Sequence, residues 1–320
     1  MRRRRDINTR MGISLTDLGL RLDSWGGHRK MARFRQGWPA RTDPRVKFHR
    51  TPLTQYRYLE AGSGRTIVFT VDPPMTLQVY SALVEEFARS FRVVAVELPG
   101  MGFSAVVPGF GFGFRETNDD LAAFLREVCG PQSVFAFSCV ASLAALDIAR
   151  RMPELASHLC LIQAGGVAAF ARWKAGRDPD GLLGRPVIGQ LVMKRIAPRR
   201  MPSWYDLSVG RRDMVGRFCA CAEHSFREGA MWSLASAYQR YMSLDAELPA
   251  ATQPLLSIWG GADRSHPAIN RHSLGELYPD VERVSFEDLG HTPELEDPHR
   301  VCEAITRFIA QPRSTSTPPM

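Results

Sequence analysis

The residues of this chain best placed to do chemistry are three: a cysteine where an apolar strand meets a helix, an aspartate just past a later strand, and a histidine in a glycine-proline loop. Cys139 ends the run Val134-Phe135-Ala136-Phe137-Ser138-Cys139 and leads into a helical stretch over 143–151. Asp263 follows an apolar strand over 255–259, and His291 lies in Leu289-Gly290-His291-Thr292-Pro293. A free thiol ionises near pH ~8.5, but a helix N-terminus and a neighbouring imidazolium both stabilise the thiolate. An aspartate can hold the imidazole in its useful tautomer. Such a set supports attack of sulfur on a carbonyl carbon. An isolated cysteine is also a common buried structural residue, so the elements around it decide between the two readings.

Those elements alternate. Strands are expected over 56–60 and 66–71 around a Gly62-Ser63-Gly64 turn, then a helix over 77–90 and a strand over 92–97, apolar through its middle. A helix over 117–129, the strand over 134–137, the helix after Cys139 and a strand lead-in over 154–162 follow. This order predicts an α/β fold, a doubly wound, mostly parallel sheet. Between residues 165 and 249 the alternation stops in favour of helices over 186–195, 213–228 and 231–243, an inserted helical cap. Strands resume over 254–259 and 281–286, and an amphipathic helix over 298–310 closes the core. The expected organisation is a basic extension over 1–50, a core over 51–165 and 250–312, a cap over 166–249 and a polar tail over 313–320.

At 320 residues, 44% hydrophobic and 23% charged, the chain can bury one large core, which excludes disorder for its bulk. Six cysteines without C-x-x-C spacing suit reduced thiols in the cytoplasm rather than disulfides or a zinc site, and no cofactor is expected. Neither a signal peptide nor a membrane span is indicated. Residues 1–50 carry 14 Lys/Arg against 4 Asp, and residues 166–250 carry 13 against 8 Asp/Glu. No nucleic-acid motif accompanies this charge. It reads as solvated faces or as a landing surface for an anionic partner, such as an acidic carrier protein or coenzyme A, with Lys194-Arg195, Arg199-Arg200 and Arg211-Arg212 in the cap.

Several segments together resemble the α/β-hydrolase superfamily over about residues 55–311. They are Glu97-Leu98-Pro99-Gly100-Met101-Gly102-Phe103-Ser104, similar to its D-x-P-G-x-G-x-S loop, Met152-Pro153-Glu154, and the Gly-His-x-Pro-x-x-Glu-x-Pro segment from Gly290 to Pro298. The resemblance implies a nucleophile elbow and the chain order nucleophile, acid, histidine. Counting back 14 residues from Pro153 places the nucleophile at Cys139, with Phe137 and Ala141 at the usual glycine positions. Ser138 is the nearest competitor. The implied triad is Cys139, His291 and Asp263, with Val140 N–H as one oxyanion donor. At the other donor position the family's His-Gly is replaced by Val71-Asp72-Pro73-Pro74, and Pro73 has no N–H. Asp72 is its neighbour there.

The expected function is therefore thiol-dependent acyl transfer from a small or carrier-bound acyl thioester, by a thioesterase, cyclase or acyltransferase. Trp204, Trp232, Tyr238 and Arg199 of the cap are the expected substrate contacts. Two alternatives stand beside it: hydrolysis of a small ester, lactone or carbon–carbon bond, and a non-catalytic binding protein.

Overall fold

The structure, a computed structural model, describes residues 13–25, 43–267 and 269–311, with the backbone alone of Met231 and Trp232. The tail expected over 313–320 and the basic residues 1–12 lie outside the described residues.

β1 (Val46–Arg50), β2 (Thr54–Ala61), β3 (Thr66–Val71), β4 (Arg92–Glu97), β5 (Ser133–Ser138), β6 (Ala156–Ile162), β7 (Leu255–Gly260) and β8 (Glu282–Phe286) form one sheet in the order β1-β2-β4-β3-β5-β6-β7-β8. β1 and β2 pair antiparallel, β2 joins β4 antiparallel, and every later pairing is parallel. Period-two alternation sends Ile67, Phe69, Val93, Ala95, Val134 and Ala136 into one hydrophobic cluster. Val68, Val94, Val96, Phe135 and Phe137 enter another, so the central strands are apolar on both faces because both faces are covered.

α1 (Leu15–Ser24), α2 (Ser81–Phe87), α3 (Phe114–Phe124), α4 (Ala141–Arg151), α5 (Val167–Arg177), α6 (Ile188–Ser208), α7 (Arg212–Arg227) and α8 (Pro298–Ala310) are the principal helices. α5, α6 and α7 lie in the excursion between β6 and β7. The helix expected over 186–195 runs instead from Ile188 to Ser208, through Pro198 and Pro202. The two prolines are four residues apart and both exposed, so the carbonyls they leave unpaired lie on one solvent-facing side.

Two parts of the expected extension belong to the body of the protein. Residues 46–50 form β1, paired from Val46–Leu59 to Arg50–Gln55. α1, capped by Ser14, buries Leu20 against Val106, Phe110 and Phe112. Ser24 Oγ accepts from Gly109 N–H, and Asp23 accepts from Ser236 Oγ, which ties α1 to the segment after α7.

Candidate active site

The elbow is a backbone fact. Cys139 has φ +52°, in the left-handed region that a side chain adopts only where its surroundings impose it. Its N–H donates to Ile162 O (2.8 Å), and α4 starts two residues later. Phe137, at a position usually held by glycine, stacks on Phe135 (5.0 Å between centroids) in a cluster to which α4 brings Ala141, Ala144, Ala145 and Ala149 along with Leu146 and Ile148. Small residues in the first turns of α4, Ala141, Ala144 and Ala145, thus leave room beside the phenylalanines at the elbow. Ser138 faces the other way: its hydroxyl donates to buried Glu294 (2.9 Å), which removes it as a nucleophile facing an imidazole.

Three loops at the C-terminal edge of the sheet converge on the sulfur. Gly260 and Gly290 bring the acid and histidine loops into backbone contact, since a Cβ on Gly260 would stand 1.8 Å from Gly290 O. Glu296 fastens the histidine loop to the cap by accepting from Gly290, Gly210 and Arg211 N–H. His291 Nδ1 meets Asp263 Oδ2 at 2.7 Å, so Cys139, His291 and Asp263 do come together. A second imidazole, His266, stacks on His291 at 4.1 Å between centroids and places its Nε2 4.0 Å from Cys139 Sγ. One donor atom from each of Cys139, His266 and His291 lies within 4.8 Å of the others; among the described residues these three could hold a soft divalent metal ion.

Hydrogen bonds fix the acid from several sides. Asp263 Oδ1 accepts from Ser265 N–H (2.7 Å) and Ser265 Oγ (2.6 Å), and its Oδ2 accepts from Gln163 Nε2 (3.0 Å). Burial alone would raise its pKa, but the two histidines hold it far below the carboxylate range. Burial pushes His291 down and is overcome by Asp263, Cys139 and Asp72, so its pKa lies well above the usual imidazole value. His266 goes the opposite way, to about 4, through burial and the charge of His291.

Three expectations are corrected here. The thiol is raised rather than lowered, because burial and then the Asp72 carboxylate outweigh His291 and the Val140 N–H. The second oxyanion donor is missing: Pro73 has no N–H, and Asp72 N–H is already given to Tyr80 Oη (3.1 Å). The Asp72 carboxylate instead reaches 3.3 Å from His291 Nε2. Arg199 is not among the cavity residues, whereas Arg200 is.

The cavity above Cys139 holds about 380 Å³ and is walled by Val71, Leu121, Met193, Trp204, Tyr238 and Met242. Trp204 stands edge-on to His291 (5.8 Å), and Tyr238 stacks near Trp173, which stacks on His266. The Trp232 side chain lies outside the described residues; its backbone pairs with Met101. Exposed Arg177 and Arg200 reach the same cavity. Of the basic cap clusters, Arg211 and Arg212 pair with Asp213 and Asp206. His266, Ser265, Gln163 and Arg177 escaped the sequence reading, although His266 stands only three residues past Asp263.

A fold with this sheet order, elbow and loop set defines the hydrolase class, and a family model described as alpha/beta hydrolase matches residues 67–304. The chain belongs to that family. A curated relative, pimeloyl-[acyl-carrier protein] methyl ester esterase of Xanthomonas oryzae pv. oryzae, is 28% identical over 247 residues, 72% of this chain and 90% of its own. The protein of the same name from Aromatoleum aromaticum is 28% identical over 228 residues, 69% of this chain and 88% of its own. Among solved structures, a probable hydrolytic enzyme from Pseudomonas aeruginosa superposes with TM-score 0.66 at 16% identity, covering 83% and 94% of the two chains. The Cif epoxide hydrolase from Acinetobacter nosocomialis gives 0.60 at 13%, covering 88% and 95%. These last two are likenesses of fold. Family membership and the elbow support an enzyme of the hydrolase class, and no helix of the described residues is long and apolar enough to cross a membrane.

Proposed function

We propose that the protein is a thiol-dependent hydrolase of an acyl ester or thioester, with Cys139 as the nucleophile and an acyl-sulfur intermediate passed on to water. The observation that carries this reading is a cysteine at φ +52° on the elbow, 5% exposed, facing a histidine held by Asp263 at 2.7 Å. Sulfur suits a site with a single oxyanion donor, Val140 N–H, because exchange between thioesters is nearly balanced in energy. A missing donor costs about 10²–10³ in rate where one has been removed from a serine enzyme.

The apolar cavity would take the acyl chain, and its rim would take the handle. Arg177 and Arg200 at the cavity, with exposed Lys194, Arg195 and Arg199 on the same helix as Arg200, offer positive charge to an anionic carrier. A carrier-bound acyl ester is also what the printed names of the curated relatives describe for those proteins. Transfer to an acceptor other than water would use the same intermediate. The free state of all six thiols supports a reducing compartment such as the cytoplasm.

Incubation with acyl thioesters and acyl methyl esters, free and carrier-bound, followed by intact-mass measurement, tests this. An acyl adduct on Cys139 that is absent from Cys139→Ala is expected. No adduct and no turnover on any of them would refute it. A second reading, ligand binding without turnover, is favoured by the carboxylate of Asp72 at the missing oxyanion position; it expects Cys139→Ala and His291→Ala to bind ligand as the wild type does.

A further inference from the structure

We infer that His266, outside the family's chain order, is the base that takes the proton of Cys139, and that His291 between its two carboxylates serves as a charged neighbour. The inference rests on the reading of Cys139 as nucleophile. Its ground is the direction in which each ring nitrogen faces. His291 gives Nδ1 to Asp263 (2.7 Å) and has Asp72 3.3 Å from Nε2, and one of its ring nitrogens also lies within 4.8 Å of the sulfur. His266 offers Nε2 to the sulfur at 4.0 Å.

The tautomer of His266 follows from its other nitrogen. Ser265 Oγ has one proton, and its 2.6 Å contact with Asp263 Oδ1, a carboxylate oxygen, uses it. Towards His266 Nδ1, 2.8 Å away, Ser265 Oγ is therefore an acceptor, and Nδ1 carries the hydrogen. That leaves a lone pair on Nε2, aimed at the thiol. Asp263 thus orients both rings, His291 at 2.7 Å and His266 through Ser265 together with its own Oδ2, 3.4 Å from His266 Nδ1. Trp173 stacks on the outer face of His266 at 5.0 Å and keeps the ring in plane.

The two rings are shifted in opposite directions. The titratable groups facing His266 are Asp263 on its own loop, His291 on the histidine loop, Asp72 after β3 and Cys139 at the elbow. Burial and the His291 charge lower the pKa of His266 to about 4, whereas Asp263, Cys139 and Asp72 raise that of His291 against its burial.

In the reaction the thiol proton moves to His266 Nε2 as sulfur attacks the acyl carbon. The tetrahedral species expels the alcohol or thiol, which takes that proton. Water then attacks the acyl-sulfur carbon and gives its proton to Nε2; the carboxylic acid leaves and the proton returns to sulfur.

The test is the rate of Cys139 acylation against pH in the wild type, His266→Gln, Ser265→Ala and His291→Gln, each checked for folding by thermal melt. Loss of a positioned base costs about 10²–10⁴ in rate. His266→Gln is expected to lose that much and to lose the acid limb of the profile, Ser265→Ala to lose less, and His291→Gln to keep the limb. Acylation of His266→Gln at the wild-type rate, with His291→Gln inert, would overturn the assignment while leaving Cys139 as nucleophile. A wild type that forms no adduct would instead refute the nucleophile itself. Acylation abolished by a chelator and restored by zinc would give the three side chains to a metal and overturn the assignment too.

Discussion

Replacing Asp72 by asparagine should make Cys139 easier to ionise, against the intuition that dismantling a charged site weakens its nucleophile. In the native site Asp72 is the second cause, after burial, of the raised thiol pKa. At an effective dielectric near 20, unit charges about 8 Å apart interact by about 2 kcal/mol. Part of that gain is lost because Asp72 also supports the His291 imidazolium, which stabilises the thiolate. The loss is limited, since Asp263 stays at 2.7 Å from Nδ1 and is the larger of the two carboxylate influences. The net expectation is a lower midpoint. Iodoacetamide alkylation of the Cys139 peptide, followed by mass spectrometry across pH, reads it without interference from the half-buried Cys219 and Cys221. An unchanged or higher midpoint in Asp72→Asn would show that the carboxylate does not act on the sulfur as its position 3.3 Å from His291 implies.

Other consequences follow from the same structure. Buried Glu294 has its pKa pushed up from 4.5 to about 7, first by burial. The native state therefore holds a proton that the unfolded chain releases, and stability falls as pH rises between those values, by about 3 kcal/mol in all. Glu294→Gln, which can still accept from Ser138, should flatten that slope in urea titrations at pH 5 and pH 8; an unaltered slope would count against it. Glu97→Ala removes the carboxylate paired with buried Arg57 at 2.8 Å and the acceptor of Leu77 and Phe103 N–H, and should lower the unfolding free energy by about 3–5 kcal/mol. A loss below about 1 kcal/mol would mean that the loop relaxes to water. Arg200→Glu should weaken turnover of a carrier-bound ester through KM, more at low salt than high, and leave a small free ester unaffected. Equal effects on both substrates would remove the rim from carrier binding.

Much of the fold was legible in the chain because its signals are local. The apolar runs of β3, β4 and β5 announce strands buried on both faces, and the clusters on either side of the sheet fill as that alternation requires. Gly290-His291 could be read as a loop landmark, and Cys139 as the elbow, through the resemblance to the hydrolase family and its offset from Pro153. Misread elements depended on partners far along the chain. β1 exists because β2 offers it an edge, and α6 outlasts two prolines because both face solvent.

Sequence, through its resemblance to the hydrolase family, placed the Cys139 sulfur at a strand-to-helix turn and named the strand-to-loop junctions that meet around it, since such a turn and a chain order are properties of neighbours in sequence. Only the tertiary structure decided the electrical state of that atom. Burial, a carboxylate delivered by the loop after β3 and a second imidazole stacked on the first are distances between separate loops. Charge acts through space, so a motif that places Cys139 at an elbow leaves open whether its surroundings favour the thiolate or, as here, the thiol.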